Sequence, residues 1–220
     1  STKATNRMKK TIVLILLLVG AAVLNAQPIQ KSEVKSSKEP WKFGLQAGGS
    51  LDNISIKSGG VSKFGYKAGL AAEKRLVYNL YFQPTLCFAS KSFGYEIANG
   101  YSLDVNSLVA ELDAGLLLKF GDDRLQRGFF LSVTPYYTYG LGGKSKTKDL
   151  NTHSESYLEE KEYSTFETAN RYDLGFRIGC GYDFNKHIEF AVNYTLGMNR
   201  FSNTANYRWR GWNLHLVVFF

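Results

Sequence analysis

The sequence predicts an all-β chain, an eight-stranded antiparallel up-and-down transmembrane β-barrel. Three observations carry this reading. Eight segments alternate apolar and polar residues with a period of two, the connections between them alternate short and long, and aromatic residues collect where the segments end. A period of two is what a strand shows when its two faces meet different surroundings. Composition agrees: 15 Phe, 14 Tyr and 21 Gly against only 4 Pro favour strands and tight turns over helices. A hydrophobic content of 44% is too high for a disordered chain.

The elements follow in order. The first segment sets Phe43, Leu45, Ala47, Gly49 and Leu51 against Gly44, Gln46, Gly48, Ser50 and Asp52. The second opposes Tyr66, Ala68, Leu70 and Ala72 to Lys67, Gly69, Ala71 and Glu73. The third opposes Leu80, Phe82, Pro84, Leu86 and Phe88 to Tyr81, Gln83, Thr85 and Cys87. In the fourth, over 108–120, Ala110, Leu112, Ala114, Leu116 and Leu118 face away from Glu111, Asp113, Gly115 and Lys119. The fifth sets Leu131, Val133, Pro135 and Tyr137 against Ser132, Thr134 and Tyr136. The sixth opposes Leu174, Phe176, Ile178, Cys180 and Tyr182 to Asp173, Arg177, Gly179, Gly181 and Asp183. Ile188, Phe190, Val192, Tyr194 and Leu196 oppose Glu189, Asn193 and Thr195 in the seventh. Trp212, Leu214, Leu216, Val218 and Phe220 oppose Asn213 and His215 in the last. Most segments have the roughly 9–11 residues a tilted strand needs to cross a bilayer.

Short connections at 76–79, 121–128 and 185–187 alternate with long polar ones at 52–62, 92–102, 141–171 and 202–208. Short periplasmic turns and long external loops belong to outer-membrane barrels. An even strand number returns both ends to the periplasm. Two aromatic girdles complete the pattern: Trp41, Tyr78, Phe120, Phe129, Phe184 and Phe220 on the turn side, and Tyr66, Phe93, Tyr139, Tyr172, Phe201 and Trp209 on the loop side. Period alone does not separate this barrel from a secreted soluble one of lipocalin type, because it does not say which face is inside. The girdles, the loop asymmetry and a polar face of small and oppositely charged residues favour the membrane.

Residues 1–26 carry Met8-Lys9-Lys10, an apolar run over 11–24 and Ala26, and are expected to be a cleaved signal peptide with a short preceding extension. The apolar run is too short to span a bilayer as a helix. Residues 27–40 are expected to form a periplasmic N-terminal segment, and 41–220 the barrel. The formal charge of +8 suggests nucleic acid at first sight. Removing Lys3, Arg7, Lys9 and Lys10 leaves 23 basic and 19 acidic side chains, a charge of +4 spread along the chain, and no nucleic-acid partner is expected. Two Cys exclude a disulfide scaffold. Cys87 and Cys180 lie on opposite faces and are expected to be free thiols.

The segments FGLQAGGSLD from Phe43, GYKAGLAAEKRL from Gly65, LYFQPTLCFASKSF from Leu80 and SLVAELDAGLLLKF from Ser107 resemble, in order, the first four strands of the PorT-like, or porin-family, outer-membrane β-barrel proteins of Bacteroidetes. PYYTYGLGGK, DLGFRIGCGYDF, NYTLGMNRFSN and NLHLVVFF continue the resemblance to the end of the chain. It implies the barrel fold, the outer membrane and a closing Phe of the kind barrel assembly machinery favours. It implies no single activity, since members of the family do not share one.

Nine residues are candidates for a polar network inside the lumen: Lys67, Glu73, Glu111, Asp113, Lys119, Asp173, Arg177, Asp183 and Glu189. Eight strands leave an interior just wide enough for side chains, so mutual pairing that fills the lumen is expected over a water path. Tyr157, Leu158, Tyr163 and Phe166 give the longest loop apolar anchors suited to an unidentified protein partner. Arg200, Arg208 and Arg210 form a candidate rim for lipopolysaccharide phosphates beside the membrane lipids. His153, His187 and His215 fall in a loop, a turn and a strand, too dispersed for a metal site. His153 with Ser154 and Glu155 is the sole local arrangement of catalytic residue types, and no enzyme activity and no cofactor are expected. The expectation is a monomeric structural or interaction protein acting through its extracellular loops, with a narrow solute pore or a secretion-system accessory as alternatives.

Overall fold

The computed structural model describes residues 40–54, 60–97, 101–122, 127–149, 161–200 and 208–220. The expected leader, residues 27–39 of the expected periplasmic segment, His153, Tyr157, Leu158 and Phe201 lie outside the described residues. The strands are β1 (Lys42–Ile54), β2 (Gly60–Val77), β3 (Leu80–Ile97), β4 (Tyr101–Asp122), β5 (Arg127–Asp149), β6 (Lys161–Ser164), β7 (Tyr172–Asp183), β8 (Ile188–Gly197) and β9 (Trp209–Phe219). A single helical turn, α1 (Thr165–Thr168), follows β6.

Eight strands pair antiparallel around a ring in the order β1, β2, β3, β4, β5, β7, β8, β9. β9 closes on β1 from Gly44↔Phe219 to Ile54↔Trp209. β6 stands outside the ring and pairs only with the far end of β5, Lys144↔Ser164 to Thr147↔Lys161. Closure removes the exposed strand edges that an open sheet would present.

Burial is inverted relative to a soluble protein. Leu45, Leu70, Phe88, Leu112, Leu131, Ile178 and Leu214 are exposed on the outer face, and Phe64 is 68% exposed. Lys67, Glu111, Asp113, Arg177, Glu189 and Asn213 are buried on the inner face. A continuous apolar outer surface around a charged interior is stable only if the outside meets lipid. The lipocalin-type alternative needs the opposite arrangement.

Two short turns among the described residues lie at one end of the ring. Tyr78 and Asn79 join β2 to β3, with Tyr78 in the left-handed region at φ 42°. The Arg75 guanidinium donates to the Tyr78 carbonyl and holds that turn. Phe184 to His187 joins β7 to β8, where the Asn185 carboxamide accepts from the amides of His187 and Ile188 at 2.8 and 3.0 Å. On the rule for outer-membrane barrels this end faces the periplasm.

At the other end two expectations are corrected. Residues 92–102 do not form a long loop, because β3 and β4 stay paired up to Ile97↔Tyr101. The strand before residue 141 does not end there, because β5 runs on against β4 to Asp149. β4 and β5 have 22 and 23 residues, about twice the span needed to cross the bilayer, so they rise beyond it as a wall. Polar alternation, as in Lys144-Ser145-Lys146-Thr147, suits a strand in water as well as a loop. Lys63 and Asp104 bridge across the wall at 2.6 Å.

Leu112→Arg on the lipid face should destabilise the folded barrel by about 2–4 kcal/mol, the cost of a cation near the bilayer midplane. Urea unfolding in phospholipid vesicles, followed by tryptophan emission, measures it. The isosteric Leu112→Met should be close to neutral.

The lumen as candidate functional site

Arg177 sits at the centre of β7, its side chain turned inward by the alternation that turns Phe176 and Ile178 out. It is 1% exposed. Its guanidinium meets Glu111 Oε2 at 2.5 Å and Asp113 Oδ1 at 2.7 Å, both on β4 across the lumen. Nε donates to Thr195 Oγ1 at 3.3 Å, and the plane lies 4.4 Å from the Tyr136 ring centroid. Lys67 approaches Glu111 and Asp113 at 3.6 and 3.9 Å, and Lys91 reaches Glu111 at 3.3 Å. Thr85 donates to Asp113 Oδ2 at 3.1 Å. Three cations thus enclose two carboxylates; Glu111 Oε1 has no hydrogen bond and faces only the Lys67 ammonium at 3.6 Å. A buried charge demands such enclosure, since an unpaired one costs several kcal/mol.

A second cluster lies nearer the periplasmic end. Lys119 Nζ contacts Glu73 at 2.5 Å, Asp183 at 2.9 Å and Glu189 at 3.2 Å, while Gln83 donates to Glu189 Oε1 at 2.9 Å. Tyr81 and Phe130 present their ring faces to the same ammonium at 4.9 and 5.5 Å. Asp173 stands apart from both clusters, receiving the Tyr136 hydroxyl at 2.6 Å. The nine lumen candidates therefore divide among a central clamp of Lys67, Glu111, Asp113 and Arg177, a lower clamp of Glu73, Lys119, Asp183 and Glu189, and Asp173 above.

Several participants escaped sequence reasoning. Lys91 falls past the last residue assigned to the third segment, yet it keeps that segment's odd-numbered inward parity. Tyr136 was placed on the polar face but not in the network, because an aromatic ring among charges signals little until its neighbours are known. Asp52 stands on the polar face of the first segment and at the start of a long connection, outside the nine network candidates, yet its carboxylate accepts from Ser50 at 2.6 Å inside the ring.

The outer end of the lumen is apolar. Phe93 and Trp209, expected in the outer girdle, instead point inward and are 1% and 7% exposed. Their rings meet edge to face at 5.2 Å and pack with Ile54 and Val105. Their parity decides this: Phe93 shares odd numbering with Lys91, and Trp209 with Asn213 and His215. The other described loop-side aromatics, Tyr66, Tyr139 and Tyr172, are exposed on the outer face.

The long connection turns back onto this end. In α1, Thr165 is buried and donates to the Asn106 carbonyl at 3.1 Å. The Phe166 ring occupies the space a side chain at Gly140 would need, and Arg171 stacks on it at 5.6 Å. Gly140 is inward-facing, so Phe166 fills the gap it leaves. Phe166 is thus engaged within the chain, whereas Tyr163 belongs to β6 by its backbone. Among the rim candidates, Arg200 is exposed, while Arg210 is half-buried and donates to the Gly197 and Trp209 carbonyls at 3.0 Å. Arg208 is half-buried just before β9.

Cys87 is buried inside and Cys180 exposed outside, and both are free. His215 is buried in the lumen at 3.4 Å from the Asn193 carboxamide, and His187 lies in a turn with Nδ1 2.9 Å from the Phe219 carbonyl. Among the described residues no three His, Cys, Asp or Glu converge in the manner of a metal site.

Arg177→Met should cost about 3–5 kcal/mol, because it strands Glu111 and Asp113 without their main partner. Neutralising those carboxylates in the triple variant R177M/E111Q/D113N should recover a large part of the loss. Urea unfolding in vesicles compares the two.

Residues 25–203 match the family described as outer membrane protein beta-barrel domain. No curated protein matches the chain. Solved structures with similar backbones include Ail, the attachment invasion locus protein of Yersinia pestis, at 12% identity, covering 83% of this chain and 100% of that one with a TM-score of 0.46. Neisserial surface protein A is similar at 14% identity, with coverage of 83% and 100% and a TM-score of 0.44. The N-terminal β-barrel domain of Pseudomonas aeruginosa OprF follows at 11% identity, with coverage of 80% and 97% and a TM-score of 0.32. With its membrane-facing outer surface, its closed ring and the match over most of its length, the chain belongs to the outer membrane protein β-barrel family.

Proposed function

We propose that this outer-membrane barrel has a filled lumen and acts as a structural or interaction protein through its extracellular face, without catalysis. The observation that carries the proposal is the Arg177–Glu111–Asp113 clamp across the centre of the ring, because paired charges filling a narrow eight-stranded interior favour a closed lumen over a water path. Above it the Phe93–Trp209 pair adds an apolar seal. The long connection supplies the partner-binding elements, with Tyr157, Leu158 and Tyr163 as the anchors and Phe166 fastening the connection to the barrel. Arg200, Arg208 and Arg210 border the lipid-facing wall, where phosphates of lipopolysaccharide would meet them.

The chain's origin is proposed to be PorT-like, on the strength of eight segments resembling that group in order, with residues 1–26 acting as its export signal. A role as accessory to a secretion system is an alternative reading, since the resemblance by itself implies no single activity. A narrow pore is favoured by one feature only, the recess that opens from the periplasmic end into the lower charge cluster.

Reconstitution into planar bilayers tests the filled lumen. The purified barrel should give no steady, reproducible conductance steps at neutral pH. A uniform open level seen in independent insertions would overturn the proposal and establish the pore.

A further inference from the structure

We infer that Thr165 and Phe166 form a releasable latch that holds the long connection against β5 and keeps the Phe166 ring seated there. The seat is built from glycines. Gly140 and Gly143 lie on β5 just before Lys144, which pairs with Ser164, the last residue of β6. A side chain at Gly140 would overlap the Phe166 ring. One at Gly143 would come within 3.0 Å of the Thr165 hydroxyl. At Gly142, between them, the space a side chain would take is open. Two glycines of this run thus make room for two consecutive residues of the connection, and the third does not.

Polar contacts complete the seat. Thr165 Oγ1 donates to the Asn106 carbonyl at 3.1 Å and lies 3.1 Å from Ser145 Oγ. The Gly140 amide donates to the Arg171 carbonyl at 2.5 Å, and the Arg171 guanidinium stacks on Phe166. The segment that carries the latch does not hold this shape unaided. β6 has four residues and pairs with β5 alone among the described strands. α1 is a single turn of four residues, and Ser164 at its N-cap makes no capping hydrogen bond. A helix this short does not persist in water by itself, and an unused cap leaves its first amides without that support. The seat therefore confers the conformation of 161–171, and losing the seat frees the segment. β7 below it is paired on both edges, with β5 and β8, so the latch opens while the barrel stays closed. The inference rests on the reading of the long connection as the partner-binding element: seated, Phe166 is withheld from a partner, and released, it adds an apolar anchor beside β6.

Amide hydrogen exchange of the full-length protein in phospholipid vesicles, followed peptide by peptide by mass spectrometry, provides the test. In the unaltered protein, residues 161–171 should exchange faster than 174–182 of β7, because the latch opens without the barrel. Gly140→Ala, which expels the ring, should speed exchange over 161–171 about tenfold or more and leave 174–182 unchanged. Gly142→Ala, whose added methyl group meets nothing, should match the unaltered protein over both segments. If Gly140→Ala fails to fold, as judged by the mobility of the unheated protein on gels, Phe166→Ala should speed exchange over 161–171 in the same direction. Protection of 161–171 equal to that of β7, unchanged exchange in the seat variants, or equal acceleration by Gly140→Ala and Gly142→Ala would overturn the inference. Each of those results leaves the filled lumen standing, since that reading fails on steady conductance of the unaltered barrel and not on exchange.

Discussion

The Arg177 guanidinium is buried at the centre of the ring and bonds Glu111 at 2.5 Å and Asp113 at 2.7 Å, and at that depth a charge is tolerated only with partners on every side. Much of the interior follows from this constraint. Thr85 and Thr195 complete the hydrogen bonding of the clamp, Lys67 and Lys91 balance its carboxylates, and Tyr136 covers the guanidinium face. Its members come from β2, β3, β4, β5, β7 and β8, so it forms only when the ring has closed in register. The clamp is weak evidence for net stability, because desolvating its charges offsets their attraction. Its effect is on specificity: a strand slipped by one residue would turn charges into lipid and leucines into the lumen.

The ring was legible because alternation is a strict consequence of having lipid on one side and a polar interior on the other. Leu112 and Leu214 announce the outside as plainly as Glu111 and Asn213 announce the inside. Where alternation continues past the bilayer it loses that contrast, since the outer face of the wall meets water instead of lipid and carries polar residues as well. The Ser, Thr and Lys residues of 92–102 and 141–149 therefore read as loops although they pair as strands. A bulge adds to the difficulty. Leu108 pairs with Gly142 but Val109 with Gly140, leaving Leu141 as an extra residue that reverses which side β5 presents. Before it the even-numbered Tyr136 and Thr138 point inward; after it Ser145 faces Thr165, and Lys144 is left on the other side. No local composition marks that reversal apart from a run of glycines, which fits a flexible loop equally well.

Aromatic residues were ambiguous for a related reason. Phe93 and Trp209 stand at strand ends, where a girdle is expected, and only their parity separates a ring lying in the interface from one plugging the lumen. The packing of Phe166 over Gly140 was invisible altogether, because it joins residues that are distant in sequence through the absence of a side chain. The two ends of the lumen consequently differ in chemistry. One is closed by apolar rings and a folded-back connection. The other opens into a recess lined by charged residues, among them Lys42, Glu73, Lys119 and Asp183.

Cys87 offers a direct probe of that closure, because its thiol lies inside the lumen, fully buried, at 3.5 Å from the Gln46 carboxamide. In a Cys180→Ser background it is the only thiol, and a small water-soluble methanethiosulfonate reagent reports its access to water. A closed lumen leaves Cys87 unmodified in the folded barrel from either side of the membrane and fully modified after unfolding in urea. Modification of the folded barrel at the rate of an exposed thiol would mean that water fills the lumen, and would contradict the closed network at its centre.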